Sequence, residues 1–420
     1  MHTPVAEYLK EVLNYCAGFE QGALADYIPE LALADPDRLA MALCTPDGKV
    51  YVAGADVEHQ FTIQSISKPF TYALALRDRG LHSVLSAVDV EPSGNAFNDI
   101  SLDSRGRPKN PMINIGALTT FSLVGEDHLD GNDRAEVLRA GLSEFAGREL
   151  GVDEAVYASE LEHGWRNLAL AALVKASDKL VGEPRDAMTG YTRGCSILVD
   201  TVDLAVMAMT LASGGTNPVT GKRVIPAWVA RQVMSVMSTC GMYDAAGDWM
   251  SRVGIPAKSG VSGGIMGALP GQVGLASYSP RIDRFGNSVR GVEIYHHLSD
   301  RMGMHIMNTP APSIDAVGQR STTPEGRRLV ALQGQLNFAN AELALRHFEE
   351  IPPGIDDVVV DFTLVPAIPD VGARMIREGL RRLSLDGHDI ILVDPHGRMV
   401  GPERTDDEVA ARVVDRRAEI

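Results

Sequence analysis

Apolar positions recur at helical spacing from the start of the chain: Val5, Tyr8, Leu9 and Val12 fall on one face, which predicts a helix over residues 5–16. The segments Leu39–Cys44 and Val50–Ala53, separated by Pro46-Asp47-Gly48, read as a β-hairpin. A helix is expected from about Ser65 to Arg79, ending near Gly80. Pro69 is close enough to its start for the missing N–H to cost little. Residues 91–117 are rich in Gly, Pro and Asn and predict a long ordered loop, a kind of segment that often carries function. Helical patterns follow at roughly 133–149, 160–181 and 201–213. The glycine-dense stretch 254–274 and the alternating Ser288–Tyr295 return to strand character. Sheet elements at both ends with helices between them predict an α+β domain over residues 1–306. From Met307 to Arg327, breakers such as Pro310, Pro312, Gly318 and Pro324 interrupt any periodicity, so 307–327 reads as a linker. Residues 328–420 then alternate strands (Leu329–Leu332, Asp357–Asp361, Asp389–Val393) with helices (339–349, 370–384), the pattern of a small α/β domain.

Two domains also agree with a length of 420 residues. Hydrophobic content of 45% and charged content of 22% are those of a soluble globular protein. The net charge of −16 argues against a nucleic-acid or anionic-membrane partner. No apolar run has the length of a bilayer span, the longest being broken by Asp203, Gly214 and Gly215. The first ten residues lack the basic region and apolar stretch of a secretory signal. Cys16, Cys44, Cys195 and Cys240 are scattered, without Cys-x-x-Cys or metal spacing. Isolated thiols fit a reducing cytoplasm.

Candidate chemistry centres on Gln64-Ser-Ile-Ser-Lys68 and Lys258-Ser-Gly260. A serine three residues ahead of a lysine puts both side chains on one helix face, where a neutral amine can take the hydroxyl proton. Alone, Ser65 reads better as a helix cap and Lys68 as a solvated cation. The chain has only eight lysines against 31 arginines, however, and two of the eight stand in these motifs. Together the motifs resemble the serine acyl-enzyme class of β-lactamases and penicillin-binding proteins. A competing nucleophile is Ser262 in Gly260-Val-Ser-Gly-Gly264, which matches the Gly-x-Ser-x-Gly elbow and is followed by Asp283, His296, Asp300 and His305. An elbow needs a strand before it and a helix after it; Pro256, Pro270 and the glycine run make Ser262 an accidental match in a loop. Asn114, Glu160, Asn167, Tyr191 and Tyr243 form a third group. Glu160 and Asn167 are seven apart on the expected 160–181 helix, hence on one face. Arg134 and Arg166 read as surface or ion-pairing residues.

Ala25-Asp-Tyr-Ile-Pro-Glu-Leu-Ala32, Gln64-Ser-Ile-Ser-Lys68, Glu91-Pro-Ser-Gly94, Asn110-Pro-Met-Ile-Asn-Ile-Gly-Ala117, Glu160 with Arg166-Asn167, Met242-Tyr-Asp244 and Pro256-Ala-Lys-Ser-Gly-Val261 stand in an order and spacing that closely resemble the serine-dependent glutaminases. The resemblance covers roughly residues 5–306. It implies a β-lactamase/transpeptidase-like fold, a sheet plus a helical subdomain, and hydrolysis of L-glutamine through an acyl-serine, without metal or cofactor. By that resemblance Ser65 is the nucleophile, Lys68 the base and Tyr243 a proton relay that also contacts substrate. Tyr27, Asn114, Glu160, Asn167, Tyr191 and the backbone at Val261 are implied to hold glutamine, with Lys258 in support. Ser262 stands where the family usually has glycine. The rivals are a β-lactam or D-alanyl-peptide hydrolase with the same pair, and a glutamine sensor. Residues 328–400 resemble a STAS domain through Gly334-Gln-Leu-Asn-Phe-Ala339, Val358-Val-Val-Asp-Phe-Thr363 and Ile368-Pro-Asp-Val-Gly372, with Val371 where regulatory members carry a phosphorylatable serine. The expectation is a cytoplasmic homo-oligomer, dimer or tetramer, whose C-terminal domain takes a protein or small-molecule partner.

Overall fold

The computed structural model describes residues 5–92, 102–308, 316–323, 326–352, 357–399 and 411–416. The chain divides into two compact units, Met1–Asn308 and Thr309–Ile420.

The first unit is built on an antiparallel five-stranded sheet in the order Val50–Ala53, Ala40–Cys44, Val273–Tyr278, Gly264–Leu269, Ala257–Ser259. The expected hairpin at 39–53 is present, and its inner strand pairs with one more than two hundred residues later, Ala40 opposite Tyr278 and Cys44 opposite Gly274. One sheet face packs with the helices Val5–Cys16 and Val289–Met302 through Leu9, Val12, Leu275, Ile294, Tyr295 and Leu298. The other face meets the helix Thr201–Ala212. Gly274 allows that approach, because a Cβ there would stand 2.2 Å from the Met209 nitrogen. Around Thr201–Ala212 lie Ser67–Ala87, Asn114–Ser122, Gly131–Ala146, Trp165–Ala176, Pro184–Cys195 and Ala227–Cys240, sharing one continuous core.

A short antiparallel pair, Phe61–Thr62 with Leu198–Val199, ties the approach to Ser65 to the end of the Pro184–Cys195 helix. The Ile63 N–H donates to the Ile197 carbonyl at 2.8 Å and fixes that junction.

Several expectations are corrected. Ser65 does not lie in the long helix; it sits on a single 3₁₀ turn, Gln64–Ile66, and the α-helix begins at Ser67. The helical run breaks at Gly80 (φ 76°, ψ 162°), where the expected helix ends, and a second helical segment continues to Ala87. Within the 91–117 stretch, residues 93–101 lie outside the described residues, including Ser93 and Gly94 of one motif, and from Asn114 the chain is helical. The helix expected over 160–181 is two helices, Glu154–Glu162 and Trp165–Ala176, joined through Gly164. Ser288–Tyr295 is helical: Ser288 caps the helix by accepting from the Gly291 N–H, and Gly291, Ile294, Tyr295 and Leu298 form its buried stripe at i, i+3, i+4 and i+7. The helix Pro184–Cys195 is not among the expected elements; it buries Ala187, Met188, Tyr191 and Cys195 on one face, with Gly190 and Gly194 packed on Phe121 and Leu138. Arg134 is buried, and its guanidinium donates to the carbonyls of Val124, Glu126 and Leu129.

The second unit is a five-stranded sheet in the order Ala411–Val414, Asp389–Val393, Asp357–Leu364, Arg328–Gln333, Val317–Thr322. The first four are parallel and the last is antiparallel to its neighbour. Val317–Thr322 therefore turns part of the expected 307–327 linker into an edge strand, while 309–315 and 324–325 lie outside the described residues. The helices Phe338–Glu349 and Asp370–Leu385 close a core of Val330, Leu336, Phe348, Val360, Ile376 and Leu380. Among the described residues no helix is long and apolar enough to cross a membrane.

Candidate active site

The turn before the Ser67–Ala87 helix is strained. Gln64 has φ 49° and Tyr243 φ 54°, and with Asp178 they are the non-glycine residues in the left-handed region among the described residues. Such a backbone costs on the order of 1–3 kcal/mol and persists where its surroundings enforce it.

Lys68, the second residue of the helix, is completely buried. Its Nζ donates to Asn114 Oδ1 at 2.7 Å, and Asn114 Nδ2 in turn donates to Asn167 Oδ1 at 3.3 Å. Asn114 opens a helix that starts hard against Asn110 and Pro111; a Cβ on Gly116 would lie 1.8 Å from the Asn110 carbonyl oxygen. Burial holds the Lys68 amine down at a pKa of about 8. Lys258, also completely buried, is held well below the ordinary lysine value, first by burial and then by Lys68. Its Nζ donates to the Ser259 carbonyl at 2.8 Å and stands 3.9 Å from the centre of the Tyr243 ring.

Tyr243 lies in the 3₁₀ turn Tyr243–Ala245, and its hydroxyl donates to the same Ser259 carbonyl at 3.1 Å. It also shares a hydrogen bond with Ser65; burial keeps the phenol protonated although the Ser65 bond opposes it. Nucleophile candidate, tyrosine and both lysines thus converge.

Glu160 Oε1 accepts from Tyr27 Oη at 2.8 Å and from Gln64 Nε2 at 3.2 Å. Burial raises its carboxyl above the usual range, and those two donors oppose the rise. Tyr191 is buried at 4% exposure, its hydroxyl on the Cys195 thiol and its ring within electrostatic reach of Tyr243 and Glu160. Asn167 and Glu160 meet the site from successive helices, not from two turns of one helix.

Val261 occupies the turn between the strands Ala257–Ser259 and Gly264–Leu269 and packs with Ala25, Ile28 and Leu31. Gly260 in that turn faces the Ile63 carbonyl, so the turn lies against the segment leading into Ser65. A hairpin, with strand on both sides, is no nucleophile elbow. The Ser262 hydroxyl is buried without a hydrogen-bond partner, and the Asp283 carboxylate accepts from the N–H groups of Phe285 and Asn287. Among the described residues no group of three or more His, Cys, Asp or Glu is placed to hold a metal ion.

Sequence reasoning missed three members of this constellation: Gln64, Ser67 and Cys195. Cys195 follows Tyr191 by four residues, the spacing that stacks side chains on one helical face, but only with the Pro184–Cys195 helix in hand does the spacing carry meaning.

Comparison with known proteins shows what the chain as a whole is similar to. A family model described as Glutaminase matches residues 22–307. A glutaminase of Corynebacterium glutamicum is 48% identical over 393 residues, covering 93% of this chain and 94% of its own. A crystal structure of Mglu is similar at a TM-score of 0.89 and 44% identity, over 94% of this chain and 99% of that one. Mglu in its glutamate form is similar at a TM-score of 0.88 and 39% identity, over 94% of this chain and 99% of that one.

Proposed function

Since the chain belongs to the glutaminase family, whose enzymes hydrolyse glutamine, we propose that it cleaves the side-chain amide of L-glutamine to L-glutamate and ammonia through an acyl-Ser65 intermediate. Neutral Lys68 accepts the Ser65 proton as Oγ attacks the amide carbon. The N–H groups of Ser65 and Val261 receive the developing oxyanion. Tyr243 passes a proton to the departing nitrogen, ammonia leaves, and water then hydrolyses the ester with the same groups in reverse roles. Glu160 takes the α-ammonium, and Asn114, Asn167 and Tyr191 offer donors to the α-carboxylate. Tyr27 covers the site and orients Glu160. Lys258 supports the site from beneath the Tyr243 ring, its own amine kept neutral by burial and by Lys68.

The observation that carries this reading is the completely buried Lys68 amine, its pKa lowered by burial, three residues after a serine hydrogen-bonded to Tyr243. A protonated lysine could not serve as the base. The glutamate form of the similar Mglu agrees with glutamate as product.

The test is ammonia release from glutamine, asparagine and, separately, turnover of a chromogenic β-lactam. Ser65→Ala should abolish glutamine hydrolysis at unchanged fold, since a hydroxyl at a helix start contributes only about 1 kcal/mol. Activity retained in Ser65→Ala and lost in Ser262→Ala would overturn the assignment. The second unit we read as a STAS-like module with a protein or small-molecule partner, in a cytoplasmic homo-oligomer; Val371 offers no hydroxyl for phosphorylation.

A further inference from the structure

Behind the site the Cys195 thiol, the Ser67 hydroxyl and the Gln64 carbonyl form a chain that the reaction scheme leaves unused, and it reaches Tyr191, which the scheme does use. Ser67 Oγ donates to the Gln64 carbonyl at 2.7 Å, which uses its only hydrogen. Cys195 Sγ lies 3.8 Å from that Oγ, so between them the thiol must be the donor. The sulfur then has only lone pairs to offer the Tyr191 hydroxyl that rests on it. The order is Cys195 S–H to Ser67 O–H to the Gln64 carbonyl, with the Tyr191 hydroxyl beside the sulfur.

The end of that chain is the informative part. The Gln64 carbonyl belongs to the same planar peptide unit as the Ser65 N–H, and in a trans peptide the two point in opposite directions. Whatever holds the Gln64 oxygen therefore sets the direction of the Ser65 N–H. The carbonyl is held by the Ser67 hydroxyl and also by the Ser67 N–H. Holding is needed there, because Gln64 has a left-handed backbone (φ 49°) that a relaxed turn would abandon.

We infer that Cys195 is a positioning residue: through Ser67 and the Gln64 carbonyl it aims the Ser65 N–H at the reacting oxygen and couples that donor to Tyr191. This rests on the acyl-Ser65 reading. In this role Cys195 acts through Ser67 and not on the reacting atoms. Its contribution belongs to the transition state, where the oxyanion forms, more than to the ground state.

The experiment is steady-state kinetics of Cys195→Ala, Cys195→Ser, Ser67→Ala and the double alanine variant in the full-length protein, with folding followed by thermal melts. Cys195→Ala and Ser67→Ala should each lower kcat about tenfold or more while KM stays within about twofold, the split expected when a transition-state donor loses its aim. Cys195→Ser, which keeps a donor and an acceptor, should recover part of the loss. The double variant should be no worse than Ser67→Ala alone, because both changes break one chain. Losses that multiply in the double variant, a KM rise with kcat unchanged, or a kcat within about twofold of the parent in Cys195→Ala would overturn the inference. If Cys195→Ala fails to fold, Ser67→Ala with undiminished kcat does the same. Ser65→Ala reports separately: activity retained there sinks the acyl-enzyme reading, whereas an inactive Ser65→Ala beside an unaffected Cys195→Ala sinks only this one.

Discussion

Lys68 shows how a single burial decides both chemistry and stability. With its pKa near 8, about one-tenth of the amines are neutral at pH 7, so kcat/KM should climb with pH and level off above about 8. A profile flat across that range would remove Lys68 as the base, as would an active Lys68→Arg enzyme. The same shift destabilises the fold. The unfolded lysine, at 10.5, holds its proton more tightly than the folded one. The penalty is absent above the unfolded value, grows as pH falls, and saturates below pH 8 at about 3 kcal/mol. Lys68→Met should therefore be inactive yet melt higher than the parent at pH 7, with the gap shrinking toward pH 10. Relief of the like-charge pressure on Lys258 acts in the same direction. Glu160 is a half-buried carboxylate held by Tyr27 and Gln64, its pKa raised by burial. Glu160→Gln should weaken glutamine binding by about 1.5–3 kcal/mol, seen as a raised KM with melting little changed. Kinetics indistinguishable from the parent would sink the α-ammonium role.

At the scale of elements, what the sequence made legible depended on whether side chains or backbone set the packing. The hairpin at 39–53, the helix at 5–16 and the strand Asp389–Val393 were readable because apolar side chains mark their inner faces. The helix Pro184–Cys195 was not, because Gly190 and Gly194 interrupt its buried face and read as breakers in a linear sequence. The same blindness merged Glu154–Glu162 with Trp165–Ala176, where Gly164 separates two helices. Arg134 was misjudged because the carbonyls that draw it inside belong to the loop 124–129, which no pattern places next to it. The motifs around Ser65, Lys68, Glu160 and Tyr243 were legible as motifs, but the partners that orient them, Gln64, Ser67 and Cys195, come from tertiary pairing. Close backbone approach also makes a test. Gly116→Ala would press a methyl onto the Asn110 carbonyl and push the start of the Asn114 helix away from Lys68. It should cost on the order of 1–3 kcal/mol of stability and, in protein that still folds, depress kcat/KM. A Gly116→Ala enzyme of parental stability and rate would show that this helix start is not tightly fixed.

On the scale of the whole molecule, each unit has its own core, and the site described above lies within the first. A chain ending at Asn308 should fold and hydrolyse glutamine at a rate per active site close to that of the full-length protein. A soluble, folded but inactive fragment would mean that the second unit completes the site or an obligatory oligomer, and native mass of both proteins would tell these apart.

The four cysteines carry a last consequence. Cys16, Cys44, Cys195 and Cys240 are all free and buried, and burial lifts the pKa of Cys16 to about 12 and of the others to about 11. A folded molecule therefore presents no thiolate to an alkylating reagent, and each cysteine can be labelled only when its own neighbourhood opens. The set becomes a map of local opening, read by mass spectrometry against time at pH 8. Cys16 ends the first helix of the chain and should react earliest, because terminal elements open at the smallest cost. Cys195 reports on the ground beneath Ser65. Glutamate bound in the site should slow its labelling by mass action while leaving Cys16 unchanged. Labelling of Cys195 at the rate of a free thiol, or equal protection of both residues by glutamate, would contradict that map.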